Sequence, residues 1–347
     1  MIDFKVKKQV FMTVVVDVNT AIETDEQGKA ETIALPAQRV DGNNLLVTNL
    51  DTYWTIFIRQ LTACRENASV ESVHDIRVAT RRLLTLFELL QVSTPIKQIK
   101  GMQKELKSLR EHFDGLRDIQ VMIAEMAGLV NQISGIEPFL AYLHRRELKH
   151  KAEVACDIST YKIQKNTRRL NIARKKLLKQ KLNTGKLDRK IFRYIDDSYR
   201  LVNIRMRKLD PEKPLTFHAV RIACRKFRYQ IEVIKSLFLE YPATNMVILK
   251  AFQDELGEIQ NHEVMEAILK KYAHKNPENK PNEIKEYLDK KLDVAMHTIM
   301  AKDAQLGLLW RSSSKKEFPW ILKVDLATSA NLESGANGTI GQTVDYI

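Results

Sequence analysis

Glycine and proline are scarce in this chain of 347 residues, which contains 12 and 9 of them respectively. Because both residues interrupt regular structure, their scarcity favours long helices. Long apolar runs are missing as well, since no segment approaches the roughly 18 uncharged residues of a membrane span. An apolar run near the N-terminus ends at Asp17 without a small-x-small cleavage site. We therefore interpret that run as a β-strand rather than a secretory signal.

Only three cysteines occur, Cys64, Cys156 and Cys224, and none belongs to a CxxC pair. Each lies within a helical pattern, and an odd number of dispersed cysteines argues against a disulfide framework or a zinc site. We expect all three to be buried, reduced thiols in a cytoplasmic protein.

Signatures of catalysis and of cofactor binding are equally absent. The sequence contains no HExxH pair, no Walker loop, no GxGxxG turn and no nucleophile elbow. We accordingly expect a protein that is not an enzyme and that requires no metal ion and no cofactor.

Negative charge is in deficit, and the positive excess is concentrated. The net charge is +13, and residues 141–193 hold 17 Lys and Arg against four acids, an excess equal to that of the whole chain. A concentrated positive charge of this kind favours binding to polyanionic partners, for example nucleic acid, a phosphate polymer or an acidic membrane surface.

Hydrophobic patterning divides the chain into an extended start and a helical remainder. Alternating apolar and polar residues on either side of the turn-like TDEQGK predict a β-hairpin. The period then becomes helical, and breaks at proline and glycine predict eight helices, the fourth of them over 137–182. The predicted divisions are an extension at 1–44, four-helix units at 45–185 and 186–310, and a partly disordered tail at 311–347.

The two four-helix units repeat one another. Three pairs of segments match in the same order, at offsets of 144, 143 and 145 residues: those that begin at His74 and His218, LKSLREHFDGLRDIQVM (106–122) and LKAFQDELGEIQNHEVM (249–265), and YLHRRE (142–147) and YLDKKL (287–292). This regularity indicates an internal duplication. The sequence therefore predicts an all-α fold of two four-helix bundles with a short N-terminal hairpin.

The first of these pairs has an unusual composition, VHDIRVATRRLLTLFELL (73–90) and FHAVRIACRKFRYQIEVI (217–234). At 100° per residue, His74, Arg77 and Arg81 lie within about 80° of one another, and apolar residues occupy the opposite side. The second copy forms the same edge from His218, Arg221, Arg225, Arg228 and Tyr229. We expect both basic edges to lie outside the core.

The two basic edges contain no acidic residue. None occurs between positions 76 and 87 in the first copy or between positions 218 and 231 in the second. Solvated helix faces usually mix the two signs of charge, because opposite charges three or four residues apart stabilise a helix. Unpaired cations instead suggest an anionic ligand. Ser72 with Asp75 resembles a capping box and Thr216 fits an N-cap, which would place His74 and His218 in first helical turns, where anions bind.

Three alternatives stay open. The edges could be ordinary solvated faces, although the duplication argues against this. They could bind nucleic acid, although Tyr161 and Tyr194 are the sparse aromatic residues available near the basic segment to stack bases. An exposed histidine among arginines could also carry a phosphoryl group, as in a phosphoryl-transfer enzyme.

Further cations follow each motif, and they are unevenly distributed. The first unit adds Lys104, Lys107, Arg110, Arg117 and Arg145, whereas the second adds Lys250. Gln253 and Gln260 stand where the first unit has Arg110 and Arg117. We therefore expect ligand contacts to be denser on the first half.

The repeated pattern H-x-x-R-x-x-x-[RK]-[RK] resembles that of the CHAD domain family, a histidine-bearing α-helical family. It stands here as His74-Arg77-Arg81-Arg82 and as His218-Arg221-Arg225-Lys226, and LRDIQV and LGEIQNHEV are similar to later family segments. The resemblance covers about residues 45–308. It implies two four-helix bundles related by a pseudo-twofold axis, with a basic surface or pore along that axis.

The same resemblance implies a function. CHAD domains bind inorganic polyphosphate and can gather at polyphosphate granules, and many are fused to a triphosphate tunnel enzyme, for whose barrel the first 42 residues are too short. The expected partner is thus polyphosphate, with nucleic acid as the alternative and no membrane insertion. The expected contacts are His74, Arg77, Arg81, Arg82, Lys104, Lys107, Arg110, Arg117, Arg145, His218, Arg221, Arg225, Lys226, Arg228, Tyr229 and Lys250.

Overall fold

The computed structural model describes residues 20–24, 30–34, 42–179, 184–238, 241–278, 281–302 and 306–319. In this part of the chain the helical unit contains nine α-helices, which confirms the predicted all-α class. They are α1 (Gly42–Glu66), α2 (Val70–Ser93), α3 (Lys97–Ala127), α4 (Ile136–Thr160), α5 (Ile163–Lys179), α6 (Thr184–Met206), α7 (Pro214–Ile234), α8 (Ala243–Lys275) and α9 (Asn282–Met300).

The N-terminal extension is a unit separate from the helices. Two five-residue strands in it, β1 (Thr20–Thr24) and β2 (Ala30–Ala34), pair antiparallel on either side of the predicted turn. The apolar run before β1 lies outside the described residues, as does the predicted tail beyond residue 319. The hairpin over the whole of 1–44 and the tail therefore stay predictions.

The predicted helix over 137–182 is wrong, because the chain turns at Tyr161. This residue has an extended backbone (φ −67°, ψ 120°) and ends α4. Its ring packs edge-on against Phe57 of α1, with 5.7 Å between the ring centroids. The turn allows α5 to fold back onto α1 and α3 and to bury Leu170 and Leu177. No glycine or proline marks this position, so the helical period continues through it in the sequence.

One hydrophobic core draws on both predicted four-helix units. Phe57, Phe87 and Phe113 from the first unit and Phe217 and Trp310 from the second all belong to it and are fully buried. Each such side chain contributes roughly 1.5–3 kcal/mol relative to an exposed one. A smaller cluster joins the ends of α3 and α4 to α8 and α9.

The two helices that carry the repeated motif pack directly against each other. α2 contacts α7, and each also contacts the helix that follows its motif, α3 in the first case and α8 in the second. The basic edges of both copies are thereby brought into one region, which no analysis of a single helix would reveal.

The N-caps of both motif helices lie earlier than predicted, at Ser69 and Lys213 instead of Ser72 and Thr216. The N-cap of α2 is Ser69, whose Oγ accepts a backbone N–H at 3.1 Å. Pro214 is the first residue of α7, and Thr216 lies inside its first turn. His74 and His218 are thus the fifth residues of their helices. The prediction that first-turn N–H groups accompany the histidines is wrong.

The cysteines follow the prediction in two cases out of three. Cys64 and Cys224 are buried, Cys156 is exposed, and all three are free thiols. Burial raises the pKa of Cys64 to about 11 and that of Cys224 to about 12. Both buried thiols therefore stay protonated and unreactive near neutral pH. Cys156 lies on the outer face of α4, which the apolar stripe of that helix does not reach.

Candidate anion-binding site

Charged side chains from four helices meet where α2 packs against α7, and we call them the arginine cluster. Six arginines and three carboxylates interact electrostatically there. The members are Arg77 and Arg81 on α2, Arg110, Arg117, Asp114 and Asp118 on α3, Arg221 and Arg225 on α7, and Glu263 on α8. The cations outnumber the acids, so the cluster attracts anions.

In the first half, Asp114 neutralises the basic edge. Its Oδ1 lies 2.7 Å from Arg77 Nε and 2.8 Å from an Arg81 terminal nitrogen, and its Oδ2 lies 3.6 Å from Arg110 Nε. Burial raises the pKa of Asp114, but Arg81 and Arg77 more than offset it, so the pKa falls below its usual value. The carboxylate therefore stays ionised and holds three guanidinium groups around it.

This pairing corrects the expectation of an unpaired, outward-facing edge on α2. Arg77 is only 9% exposed and lies against α3. Its partner Asp114 is 37 residues away in sequence, on a different helix. The absence of acids within the motif was correctly observed, but the neutralising charge comes from the adjacent helix.

In the second half, Arg221 and Arg225 keep their charge without such a partner. Both are partly buried, and among the described residues no carboxylate lies within ion-pair distance of either. Burial, together with the charges of Arg81 and Arg221, lowers the pKa of Arg225 to about 9. Burial and Arg81 also lower the pKa of Arg221. These two cations repel each other and their neighbours, and a bound anion would relieve the repulsion.

The expectation of denser ligand contacts on the first half stays a prediction, and the available charge in the two halves differs as follows. That half has more arginines, but Asp114 pairs with three of them, Arg77, Arg81 and Arg110. Arg221 and Arg225 of the second half, like Arg117 of the first, have no ion pair among the described residues.

The motif histidines border the cluster. His74 is exposed at its rim, and burial, followed by Arg117, lowers its pKa. It is therefore mainly neutral at pH 7 and can donate one N–H to an anion. His218 Nδ1 is in contact with Gln260 Oε1 of α8. This contact fixes the ring between α7 and α8.

Four predicted contacts on α2 and α7 serve other purposes. Arg82 and Arg228 both pair with Glu232, at 2.9 and 2.8 Å. The Lys226 ammonium lies 4.5 Å from the centre of the Tyr194 ring on α6. Tyr229 is buried, 4% exposed, and is hydrogen-bonded to the Arg81 side chain. Tyr229 was expected on the polar face, and it instead helps to fix Arg81.

The remaining predicted contacts are exposed lysines and one exposed arginine outside the cluster. Lys250 pairs with Asp254 of its own helix at 2.7 Å. Lys107 lies two turns before Asp114 on the same face of α3, whereas Lys104 is about 80° away on that helix and Arg145 is on α4. Of this group, Lys107 shares the face of α3 that carries Asp114.

Sequence reasoning missed the acids that organise the site. Asp114, Asp118 and Glu263 are absent from the predicted contacts. Burial raises the pKa of Asp118, and its Oδ1 is 3.9 Å from Arg77. A signal was available in the repeat itself, because Asp114 aligns with Gly257 at the offset of 143.

The basic segment 141–193 forms a different surface, made of α4, α5 and the start of α6. Some of its cations pair with acids, as Arg169 does with Glu105 at 2.6 Å and Arg174 with Asp51 at 2.8 Å. Others are exposed: Lys162, Arg168, Lys175, Lys179, Arg189, Lys190 and Arg193. The two tyrosines considered for base stacking are already engaged, Tyr161 with Phe57 and Tyr194, which follows the segment, with Lys226.

The described residues contain no group of three or more His, Cys, Asp or Glu side chains that could hold a metal ion. None of the described helices combines the length and apolar character needed to cross a membrane.

Fold and site together define an all-α domain in which two arginine-bearing helices pack side by side. Residues 53–270, more than half of the chain, match the CHAD domain family. The chain belongs to the CHAD domain family.

Two solved structures share the fold. The CHAD domain from the plant Ricinus communis is 18% identical with a TM-score of 0.56, over 82% of this chain and 98% of that one. PptA from Streptomyces chartreusis is 14% identical with a TM-score of 0.53, over 77% of this chain and 100% of that one. No curated protein matches the chain in sequence.

Proposed function

We propose that this protein is a non-enzymatic receptor for inorganic polyphosphate, which it binds at the arginine cluster. The observation that carries the proposal is the pair Arg221 and Arg225, partly buried and without a carboxylate partner among the described residues. A protein that holds cations in this way bears an electrostatic cost in the unliganded state. An anionic ligand removes that cost, which makes the site a receptor rather than a structural ion-pair network.

The chemistry of the cluster suits phosphate chains. Guanidinium groups donate paired hydrogen bonds to phosphate oxygens, and they remain charged in a partly buried setting. His74 at the rim can add an N–H donor, and Lys107 can add a point charge. A polymer with one negative charge per phosphate can occupy several such groups in turn, so that individually weak contacts add up to high avidity.

The duplication extends this proposal to the whole domain. We propose that the two halves are related by a pseudo-twofold axis between α2 and α7, so that a polymer crosses from one motif helix to the other. We also propose a cytoplasmic location, with recruitment to polyphosphate granules, as the family resemblance implies.

Nucleic-acid binding is the second candidate function, and the exposed basic surface of 141–193 is the observation in its favour. Against it, Tyr161 packs on Phe57 and Tyr194 lies under Lys226, so neither ring is free to stack on a base. A phosphoryl-transfer role for His74 or His218 would require covalent phosphohistidine, which phosphate labelling would detect.

The function is tested by competition between long polyphosphate and single-stranded DNA of matched charge, at about 150 mM salt. We expect polyphosphate to displace the DNA at roughly tenfold lower concentration or less, because the partly buried arginines fit phosphates that carry no bases. Raising the salt from about 50 to about 200 mM should weaken either complex by roughly tenfold or more. Equal affinity for the two polymers would contradict the proposal and support the nucleic-acid alternative.

A further inference from the structure

The two halves of the arginine cluster differ most at one aligned position, Asp114 in α3 and Gly257 in α8. Asp114 supplies the negative charge that satisfies Arg77 and Arg81. Gly257 supplies no side chain, and Arg221 is left without an ion pair among the described residues. The duplication therefore retains the motif arginines in both halves but has a carboxylate at this position in only the first.

The contacts of α7 with α8 place Gly257 opposite the unpaired arginines. His218 contacts Gln260 near one end of the motif, and Arg228 donates to Gln253 Oε1 at 3.0 Å near the other. The two helices thus run in opposite directions. Gly257 lies between the two glutamines on the same face of α8, one turn from each. Its position consequently corresponds to the stretch of α7 that contains Arg221 and Arg225.

Neither backbone geometry nor packing explains a glycine at position 257. Among the described residues, the glycine with positive φ is Gly135, so Gly257 has ordinary helical backbone. A Cβ built on Gly257 meets no atom within 4 Å, so no neighbour excludes a side chain. In the middle of α8 (Ala243–Lys275), glycine costs about 1 kcal/mol relative to alanine. The residue provides open space beside two cations that have no ion pair among the described residues.

We propose that Gly257 opens an anchor subsite for two adjacent phosphates of a phosphoanhydride chain, which bind Arg221 and Arg225. Asp114 closes the equivalent subsite of the first half, where its carboxylate permanently replaces a phosphate. The polymer is thus held firmly at the second half and loosely at the first, where Lys107 and His74 remain accessible. This assignment rests on the proposed function, since it divides the polyphosphate site into unequal halves.

The assignment is tested by giving the second half its own counterion with Gly257→Asp. The smallest ligand that fills the anchor is pyrophosphate, and titration calorimetry measures its affinity. We expect Gly257→Asp to weaken pyrophosphate binding by about tenfold or more, because a carboxylate beside bound phosphate is a like charge at close range. The same variant should melt at a higher temperature without ligand, because the new carboxylate pairs with Arg221 and Arg225.

Gly257→Asn is the matched control, since it adds nearly the same volume without the charge. We expect it to retain pyrophosphate affinity within about threefold, because the space around Gly257 accommodates the side chain and the amide can donate to phosphate. An equal loss of affinity in both variants would overturn the counterion assignment, and so would unchanged affinity in Gly257→Asp.

The two proposals can fail separately. If wild-type protein binds pyrophosphate but does not prefer long polyphosphate to DNA, the proposed function fails and the anchor stands. If it binds long polyphosphate equally well with Gly and Asp at 257, the function stands and the anchor fails. Absence of any pyrophosphate binding to the wild type also overturns the anchor.

Discussion

Replacing Arg221 and Arg225 together with methionine is expected to lower the affinity for long polyphosphate by about 100-fold or more, because each charge-assisted contact contributes roughly 1.5–3 kcal/mol. The same variant is expected to be more stable than the wild type without ligand. Methionine keeps much of the aliphatic volume of arginine and removes a partly buried charge that has no ion pair among the described residues. A loss of binding together with a gain in stability distinguishes a ligand site from a structural one.

The direction of the stability change follows from the pKa of Arg225. Burial and neighbouring arginines lower it to about 9 in the folded state, below its ordinary value. When folding lowers the pKa of a base, the charged form of that base is less favourable in the folded state than in the unfolded state. The resulting cost in folding stability is present at every pH below about 9 and declines above it. Removing the charge should therefore raise the melting temperature at pH 7, by about 2–4 °C for each kcal/mol gained. Scanning fluorimetry in phosphate-free buffer measures this.

Lys226→Met is the matched control for the double variant. It removes a cation from the same helix, next to Arg225, but its ammonium lies over the Tyr194 ring outside the cluster. We expect it to change polyphosphate affinity by less than about threefold and to give no increase in melting temperature. If Arg221→Met/Arg225→Met kept wild-type affinity, the polymer would have to bind elsewhere, and the exposed cations of 141–193 would be the site.

Asp114→Asn is expected to lower the stability of the protein strongly. It leaves Arg77, which is 9% exposed, and Arg81 without their shared carboxylate. Breaking a buried pair by removing one partner costs about 3–5 kcal/mol, because an uncompensated charge stays buried. Urea denaturation at pH 7 should show a loss of this size in the free energy of unfolding. Pyrophosphate should recover more stability in this variant than in the wild type, since it can replace the missing carboxylate.

Asp118→Asn is the control for that experiment. Its side chain is 39% exposed and lies 3.9 Å from Arg77, so its loss should cost less than about 1 kcal/mol. A similar small cost for Asp114→Asn would show that the first half is not held by its internal counterion. The unequal division of the site between the two halves would then lose its basis.

The family and the helical class were predictable because they depend on local patterns. Breaks at proline and glycine gave helix boundaries close to those observed, except at Tyr161, where an ordinary residue turns the chain. The repeated H-x-x-R pattern identified both motif helices and four arginines of the cluster. Such features are encoded within single helices, where spacing along the sequence determines which side chains share a face.

The charge balance of the site was not predictable in the same way, because it depends on contacts between helices. A helical wheel shows that α2 has no acid near Arg77, but it does not show that Asp114 of α3 lies 2.7 Å away. It likewise places Tyr229 on the polar face, although α2 covers it. A position-by-position comparison of the two copies supplies part of this information. It aligns Asp114 with Gly257, so the first half has a carboxylate where the second half has no side chain.

The most direct test of the arginine cluster as the polyphosphate site is an experimental structure of the protein bound to tripolyphosphate. We predict phosphate oxygens within hydrogen-bond distance, about 3 Å, of the Arg221 and Arg225 guanidinium groups, above the open position at Gly257. Tripolyphosphate bound instead along Arg168, Lys175 and Arg193, with the α7 arginines uncovered, would contradict the account.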